Sequence, residues 1–423
     1  MGREVGSVGR VDRPYVPRLV DDLIRELLAE LPALLVVGPR ATGKTTTAAR
    51  HARTIVRLDQ PGQALAFAAD PDAALRDLPE PILLDEWQMV PTVLGAVKRA
   101  VDTDPRPGRF IVTGSVRADL EADNWPGTGR LVRIAMTGLA VREIVHRAEA
   151  PTFLDRLAAG EVESLALPPD VPDLRDYVEM ALRGGFPESA LHLSARARAR
   201  WLDGYLDQLL TRDVEILGEH RDPARLRRYF EVLALNSAGL VQARTLHEGA
   251  GINARTADAY DRLLQNLLVA ESVPAWSTNR LKRLVRGAKR YIVDPGLIGA
   301  ALRLDVNAVL RDGDLLGRIL DTFVAAQLRA ELPVGSARPR LYHLRGEKGQ
   351  HEVDLLAELG AERVIGIEVK AHAAPDASAA RHLVWLRDEL GDRFVAGVVL
   401  HTGPRRYRLA PDIHAVPICA LWG

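Results

Sequence analysis

Gly38, Gly43, Lys44 and Thr45 stand at the spacing G-x-x-x-x-G-K-[ST], and that spacing carries a specific chemistry. Its glycines let the loop of Gly38, Pro39, Arg40, Ala41, Thr42, Gly43, Lys44, Thr45 and Thr46 close around phosphates, with every backbone N–H but that of Pro39, which has none, available as a donor at the positive end of the helix that follows. Lys44 would reach the β- and γ-phosphates of a nucleoside triphosphate, and the Thr45 hydroxyl would ligate Mg²⁺. A second set, Asp85-Glu86, closes the apolar run Pro81-Ile82-Leu83-Leu84. Asp85 would hold Mg²⁺ through water, and Glu86 would polarise the attacking water. A strand-end turn also uses such carboxylates, but behind a phosphate loop they select an ATP site. A third set, Asp354 with Glu368 and Lys370, lies far downstream.

These side chains need elements to hold them. Leu34, Leu35, Val36 and Val37 read as a buried strand ahead of the glycine loop. Residues 54–59, 81–85, 109–115 and 129–134 read as four further strands. Helical stretches lie between them at 65–78, broken at Asp70-Pro71, and around 93–101. Leu19, Leu23, Leu27 and Leu31, four apart, predict an amphipathic helix ahead of the first strand. Strands alternating with helices predict an α/β fold, a parallel sheet with helices on both faces and the nucleotide beyond the strand C-termini.

Several short patterns together extend this reading: Leu84-Asp85-Glu86-x-Gln88-x-x-Pro91, Phe110-x-x-Thr113-Gly114-Ser115, and Gly129-Arg130 followed by Glu143. Gly184-Gly185-Phe186-Pro187-Glu188 and Tyr291-Ile292-Val293-Asp294-Pro295-Gly296-Leu297 come later in the same order. With the phosphate loop, this set resembles the prokaryotic AAA-superfamily ATPases that carry a C-terminal domain of unknown function, over nearly the whole chain. Only the phosphate loop and the Asp-Glu pair are diagnostic individually. The resemblance implies ATP hydrolysis with Mg²⁺, with Lys44 and Glu86 catalytic and a γ-phosphate sensor at Thr113 or Ser115, two residues that a simple chain turn explains equally well. Arg212 and Arg130 are rivals for an arginine finger that reaches a neighbouring nucleotide in a homo-oligomer. For Arg212, a surface pair with Asp213 is the competing reading. Trp87 stands where an aliphatic residue is expected.

The second half reads differently. Residues 226–235, 242–250 and 256–268 are helical, with Gly251-Ile252-Asn253 as a turn, and Leu268 to Val273 follows as a strand. Helix, turn, helix and strand is how a winged helix reads. The following run carries Arg280, Lys282, Arg283, Arg286, Lys289 and Arg290 without an acidic residue. On a wing it would face the phosphate backbone of DNA; a solvated basic hairpin or a protein-docking winged helix fits as well. Beyond it, Asp354 and Glu368-x-Lys370 look like the core motif of the restriction-endonuclease-like superfamily. Glu368 and Lys370 share one strand face. A tight loop centred on Ala361 would set Asp354 opposite Glu368, close enough for both to hold one Mg²⁺. Lys370 would then orient or deprotonate the attacking water, and an upstream acid is expected at Asp321 or, less aptly placed, Glu347.

Composition bounds the remainder. With 423 residues, 26% charged and 47% hydrophobic, and zero formal net charge, any nucleic-acid contact must come from local patches. Cys419 is the single cysteine, which excludes an internal disulfide or a cysteine metal cluster. The absence of a long apolar run argues for a cytoplasmic protein without membrane contact. The expected units are an N-terminal arm and helix (1–32), the ATPase domain (33–150), and a helical lid or linker (151–220). A winged-helix unit (221–300) and a restriction-endonuclease-like domain (301–423) complete the chain. Two functions are compatible with it: an ATPase whose C-terminal half binds DNA, with a nuclease-like site that either cleaves it with Mg²⁺ or is a binding-only remnant, or a signalling ATPase whose C-terminal domains dock protein and whose nuclease fold is inactive.

Overall fold

The computed structural model describes residues 14–116, 129–214, 221–277, 287–346, 350–360 and 363–423. Strands β1 (Ala33–Val37), β2 (Thr54–Arg57), β3 (Ile82–Asp85), β4 (Phe110–Gly114) and β5 (Val132–Ala135) form one sheet in the order β2-β3-β4-β1-β5. Every neighbouring pair is parallel. Interior β1 is apolar throughout because it is covered on both faces. Leu34 and Val36 pack under helices α1 (Val20–Glu30) and α2 (Lys44–Ala49). Leu35 and Val37 face α3 (Pro61–Ala69) and α5 (Val93–Thr103), with the short α4 (Pro71–Leu75) between these two in sequence. Each such buried side chain contributes about 1.5–3 kcal/mol. Asp70 ends α3 and caps α4 by accepting the Ala73 N–H at 3.0 Å. The parallel register sets Val37 beside Gly114 and Ala135, and Arg57 beside Asp85. One edge therefore collects every strand C-terminus.

Residues 151–172, which show little periodicity, hold a short helix, Phe153–Ala158, with Phe153, Leu154 and Leu157 buried. It packs against the long helix Gly313–Glu331 of the C-terminal part. Glu331 of that helix forms a buried ion pair with Arg142 and accepts the Phe153 N–H at 3.0 Å. Burial pushes the Glu331 carboxyl up to about 7, with Arg142 opposing. Two family-like motifs meet in the middle of the molecule. Helix Leu174–Arg183 ends at Gly184, whose φ of +68° suits glycine and whose added Cβ would lie 2.4 Å from Asp294 Oδ1. Asp294 accepts the N–H groups of Gly185 (2.7 Å) and Gly296 (2.8 Å).

Helix Ala195–Gln208 runs into a single π-helical turn, Leu209–Asp213. Helices Pro223–Leu235, Ala243–Gly249 and Ala254–Asn266 follow, then an antiparallel hairpin of β6 (Ala270–Val273) and β7 (Lys289–Ile292). The C-terminal sheet contains β8 (Arg340–Arg345), β9 (Glu352–Leu359), β10 (Arg363–Lys370), β11 (Phe394–His401), β12 (Tyr407–Ala410) and β13 (Ile413–Pro417). Its order is β12-β13-β11-β10-β9-β8, with β9 and β10 antiparallel and β10 and β11 parallel. Helix Gly313–Glu331 covers one face and helix Arg381–Leu390 the other. Among the described residues, no helix is long and apolar enough to cross a membrane.

Candidate functional site

The phosphate loop leaves β1 at Gly38, where an added Cβ would lie 1.8 Å from the Met136 carbonyl oxygen, so only glycine fits. Ala41 (φ +61°) and Gly43 (φ +94°) both adopt left-handed backbone to turn the loop inward. Lys44 is buried and donates to the Pro39 carbonyl at 2.8 Å, as does the Thr42 hydroxyl. Burial pulls the Lys44 ammonium down to about 8, against the pull of Glu86 and Asp85. Thr45, in the first turn of α2, donates to Asp85 Oδ1 at 2.7 Å, and Thr113 donates to the same oxygen. Thr46 is exposed. The hydroxyl and carboxylate meet as a Mg²⁺ site with retained waters requires, so Thr45 and Asp85 fit that ion.

Glu86 follows Asp85 in left-handed backbone (φ +59°), which turns its carboxylate out of the strand line. Ser115 donates to Glu86 Oε2 at 3.1 Å, and the Gln88 amide bonds both Ser115 (3.0 Å) and Glu86. Gln88 is a positioning residue that sequence reading gave no role; its place two residues after Glu86 was the available signal. Trp87 is buried, and a Cβ on Gly114 would lie 2.3 Å from its indole nitrogen. The unexpected tryptophan is thus accommodated by the glycine on β4. Of the two sensor candidates, Thr113 is committed to Asp85 while Ser115 faces Glu86.

The arginines sort by position. Arg40, inside the loop, pairs with Asp213 on the π-helical turn, so Asp213 is engaged from the loop and Arg212 stays exposed beside it. Burial raises the Asp213 carboxyl, with Arg40 and Arg212 opposing. Arg130 pairs with Asp102 at 2.8 Å and precedes β5. It therefore sits at the N-terminal edge of the parallel sheet, roughly 15 Å from the strand ends that hold the loop at about 3.3 Å per residue. Arg130 thus lies at the opposite sheet edge from the phosphate loop of its own chain.

The downstream carboxylates form a second cluster. The β9–β10 register, from Arg363↔Leu359 to Ile367↔Leu355, continues to place Glu368 opposite Asp354. Asp354 accepts the Val369 N–H at 3.1 Å, and Lys370 donates to Glu368 Oε2 at 2.7 Å. Burial, then the neighbouring Asp354, push the Glu368 carboxyl up to about 8, with Lys370 opposing. Glu368 Oε1 is buried without a hydrogen-bond partner. Asp321, on helix Gly313–Glu331, joins the cluster through Lys289, while Glu347 lies outside the described residues. A cleft of about 350 Å³ lined by Lys370, His372, Asp376, Arg381 and His382 opens beside it.

Lys289 is the surprise. Its place in the basic run predicts a solvent-facing cation, but it is 2% exposed and points into this cluster. Its Nζ donates to Asp321 Oδ2 (3.1 Å), the Asp354 carbonyl (3.2 Å) and Asp354 Oδ1 (3.3 Å). Burial lowers its proton affinity, but Asp321, Tyr291 and Asp354 outweigh that and hold it well above the ordinary lysine value. Against its burial, Lys289, then Lys370 and the Val369 N–H, keep Asp354 below the usual carboxylate range. A divalent cation does not fit beside that ammonium, because the oxygens it needs are taken. No group of three or more His, Cys, Asp or Glu among the described residues is disposed to hold a metal. Arg290, next in sequence, pairs with Asp261 at 3.2 Å, and Arg280, Lys282, Arg283 and Arg286 lie outside the described residues.

Comparison with known proteins gives three family matches in a row. Residues 30–145 match an AAA domain, and residues 174–308 and 316–421 match two domains of unknown function, DUF8612 and DUF4143. The uncharacterized proteins Rv2008c of Mycobacterium tuberculosis and Mb2031c of Mycobacterium bovis are each 30% identical over 400 residues, covering 93% of this chain and 82% of theirs. Among solved structures, the Walker-type ATPase PABY2304 of Pyrococcus abyssi is 15% identical with a TM-score of 0.41, covering 67% of this chain and 94% of that one.

Proposed function

We propose that this chain, which belongs to the same family as the uncharacterized mycobacterial proteins Rv2008c and Mb2031c, binds and hydrolyses ATP with Mg²⁺ through its AAA-type P-loop domain. The observation that carries this is the convergence at one sheet edge of Lys44, the Thr45–Asp85 pair and the Glu86–Ser115–Gln88 network. Lys44 exchanges the Pro39 carbonyl for phosphate oxygens, and loop N–H groups bind the remaining phosphate charge. Thr45 and Asp85 would hold Mg²⁺, which would supply neutralisation of phosphate charge. Glu86, aimed by Ser115 and Gln88, orients the attacking water and accepts its proton. Lys44→Ala is expected to remove ATP binding, whereas Glu86→Gln keeps binding and loses turnover. Equal ATPase rates for wild type and Glu86→Gln would sink the role given to Glu86.

The second half, on this reading, acts on DNA. The helices Pro223–Leu235, Ala243–Gly249 and Ala254–Asn266 with the β6–β7 hairpin support a winged helix. Arg280, Lys282, Arg283 and Arg286, on the connection between β6 and β7, would contact backbone phosphates. Replacing Lys282, Arg283 and Arg286 by Glu should abolish a duplex gel shift and flatten its salt dependence without lowering ATP affinity. Normal binding by the triple variant makes the wing a bystander. Arg130 and Arg212 remain the finger candidates toward a neighbouring subunit, because neither is used by its own chain's site. For the C-terminal sheet one observation favours a second reading. The sequence pattern of Asp354, Glu368 and Lys370 resembles a restriction-endonuclease-like centre, yet Lys289 occupies the oxygens that metal-dependent cleavage would need. This favours a binding module over an active nuclease, whether its partner is DNA or protein.

A further inference from the structure

Arg40 projects from the phosphate loop, and its guanidinium is met by Asp213, which arrives on the π-helical turn Leu209–Asp213. The helix ahead of that turn also holds the loop backbone. Tyr205 Oη donates to the Arg40 carbonyl at 3.2 Å, and its ring lies against Phe186 (4.6 Å) and Trp201 (5.5 Å). Arg40 and Asp213 share a space of about 10 Å³ with Gln88 and Ser115, the two residues that aim Glu86. The guanidinium therefore stands beside the place where an attacking water and a γ-phosphate would meet. Its side chain is 36% exposed against 11% for Asp213, so Arg40 is the partner free to turn. Burial depresses Lys44, and the nearby Arg40 adds to that depression; burial raises Asp213, and the nearby Glu86 adds to that rise. Each member of the pair is thus crowded by a like charge at the catalytic edge. A polyanion seated on Lys44 relieves the crowding of the two cations and draws Arg40 off Asp213.

We propose that Arg40 contacts the γ-phosphate within its own chain, and that Asp213 is its resting partner, which releases Arg40 when ATP, but not ADP, fills the loop. This rests on the ATPase reading and adds to it the residue pair that tells the two nucleotides apart. A guanidinium offers a planar fork of N–H donors that matches phosphate oxygens and stays charged at any working pH. With ADP, Lys44 and the loop N–H groups serve the terminal phosphate, and Arg40 stays with Asp213. With ATP, the added phosphoryl group competes with the Asp213 carboxylate for one guanidinium. The attraction of Asp213 for Arg40 is therefore subtracted from the affinity for ATP and not from that for ADP.

The test is calorimetry on the full chain with Mg²⁺, using ADP and a non-hydrolysable imido analogue of ATP as probes. Asp213→Asn should bind the analogue about tenfold more tightly than wild type, with ADP affinity unchanged to within about twofold. Arg40→Ala should lose about tenfold in analogue affinity and little in ADP affinity. In the Arg40→Ala background the gain from Asp213→Asn should fall to about twofold or less, because Asp213 acts through Arg40. A pair that only braces the loop would move both nucleotides together. If Asp213→Asn does not fold, Arg40→Ala alone decides through the same comparison of analogue with ADP. Equal changes for the two nucleotides, no change for either, or a full Asp213→Asn gain without Arg40 overturns the proposal and leaves the ATPase reading in place. Wild type that binds neither nucleotide overturns both.

Discussion

The ATPase site and the C-terminal cluster both bury a lysine near carboxylates, yet they leave those charges in opposite conditions. At the phosphate loop, Asp85 and Glu86 are held by neutral groups, the hydroxyls of Thr45, Thr113 and Ser115 and the amide of Gln88. Lys44 rests on a backbone carbonyl and makes no direct ion pair among the described residues. In the C-terminal cluster Lys289 reaches Asp321 and Asp354, and Lys370 reaches Glu368. Neutral hydrogen bonds orient a charge without cancelling it, so the first site stays ready for a charged ligand. Paired ammonium groups satisfy the second from within. Burial of like residue types therefore does not by itself mark an open site; the nature of each partner does.

The largest effect that tests this contrast is on ligand affinity. Lys44→Met should weaken ATP binding by about 10³-fold, the loss of charge-assisted phosphate contacts, with no fall in melting temperature of the nucleotide-free chain. Calorimetry and a thermal melt check both; a large drop in stability would mean that Lys44, like Lys289, neutralises the fold. The pH dependence comes next. Because burial depresses Lys44 to about 8 from 10.5, the folded chain binds fewer protons than the unfolded chain between those values. Its contribution to stability is complete above about 10.5 and is lost as pH falls toward about 8, a span worth up to roughly 3 kcal/mol. Denaturant midpoints over that window should rise with pH in wild type and rise less in Lys44→Met.

A smaller change is expected at Gln88. Gln88→Ala should slow turnover by about tenfold, less than loss of a general base costs, with ATP affinity unchanged in an equilibrium titration. An effect as large as that of Glu86→Gln would make Gln88 more than a positioning residue. Smallest is Glu368→Gln. Since the Glu368 carboxyl sits at about 8, it is mostly protonated at neutral pH, and an amide preserves its shape and the bond from Lys370. The substitution should change stability by less than about 0.5 kcal/mol, measured by urea unfolding, whereas a charged Glu368 would make it markedly destabilising.

Local pattern made much of the molecule legible. The glycine and lysine spacing, the carboxylate pair after an apolar strand and the alternation of strands with helices all depend on near neighbours. The register of β9 against β10 belongs here too, since a tight connection leaves strand pairing little freedom. Other features were hidden for an equally physical reason. Residues 151–172 carry too few turns to show a period, and the Phe153–Ala158 helix owes its place to packing on Gly313–Glu331. Gly184 and Asp294 belong to two separate motifs that interlock only in the folded chain.

By itself, then, the sequence determined the phosphate-binding loop, the parallel sheet behind it and the opposition of Asp354 and Glu368, all consequences of backbone geometry over a few residues. Only the tertiary structure decided which charges are free. Lys289 and Arg290 are adjacent and equally basic, but neighbouring side chains on a strand point to opposite faces. One meets Asp321 and Asp354 in the interior and the other pairs with Asp261. Arg40 found Asp213 across 173 residues of chain, and Arg130 was carried to the far edge of the sheet by the direction of β5. No spacing rule encodes such meetings, because they depend on how whole elements pack.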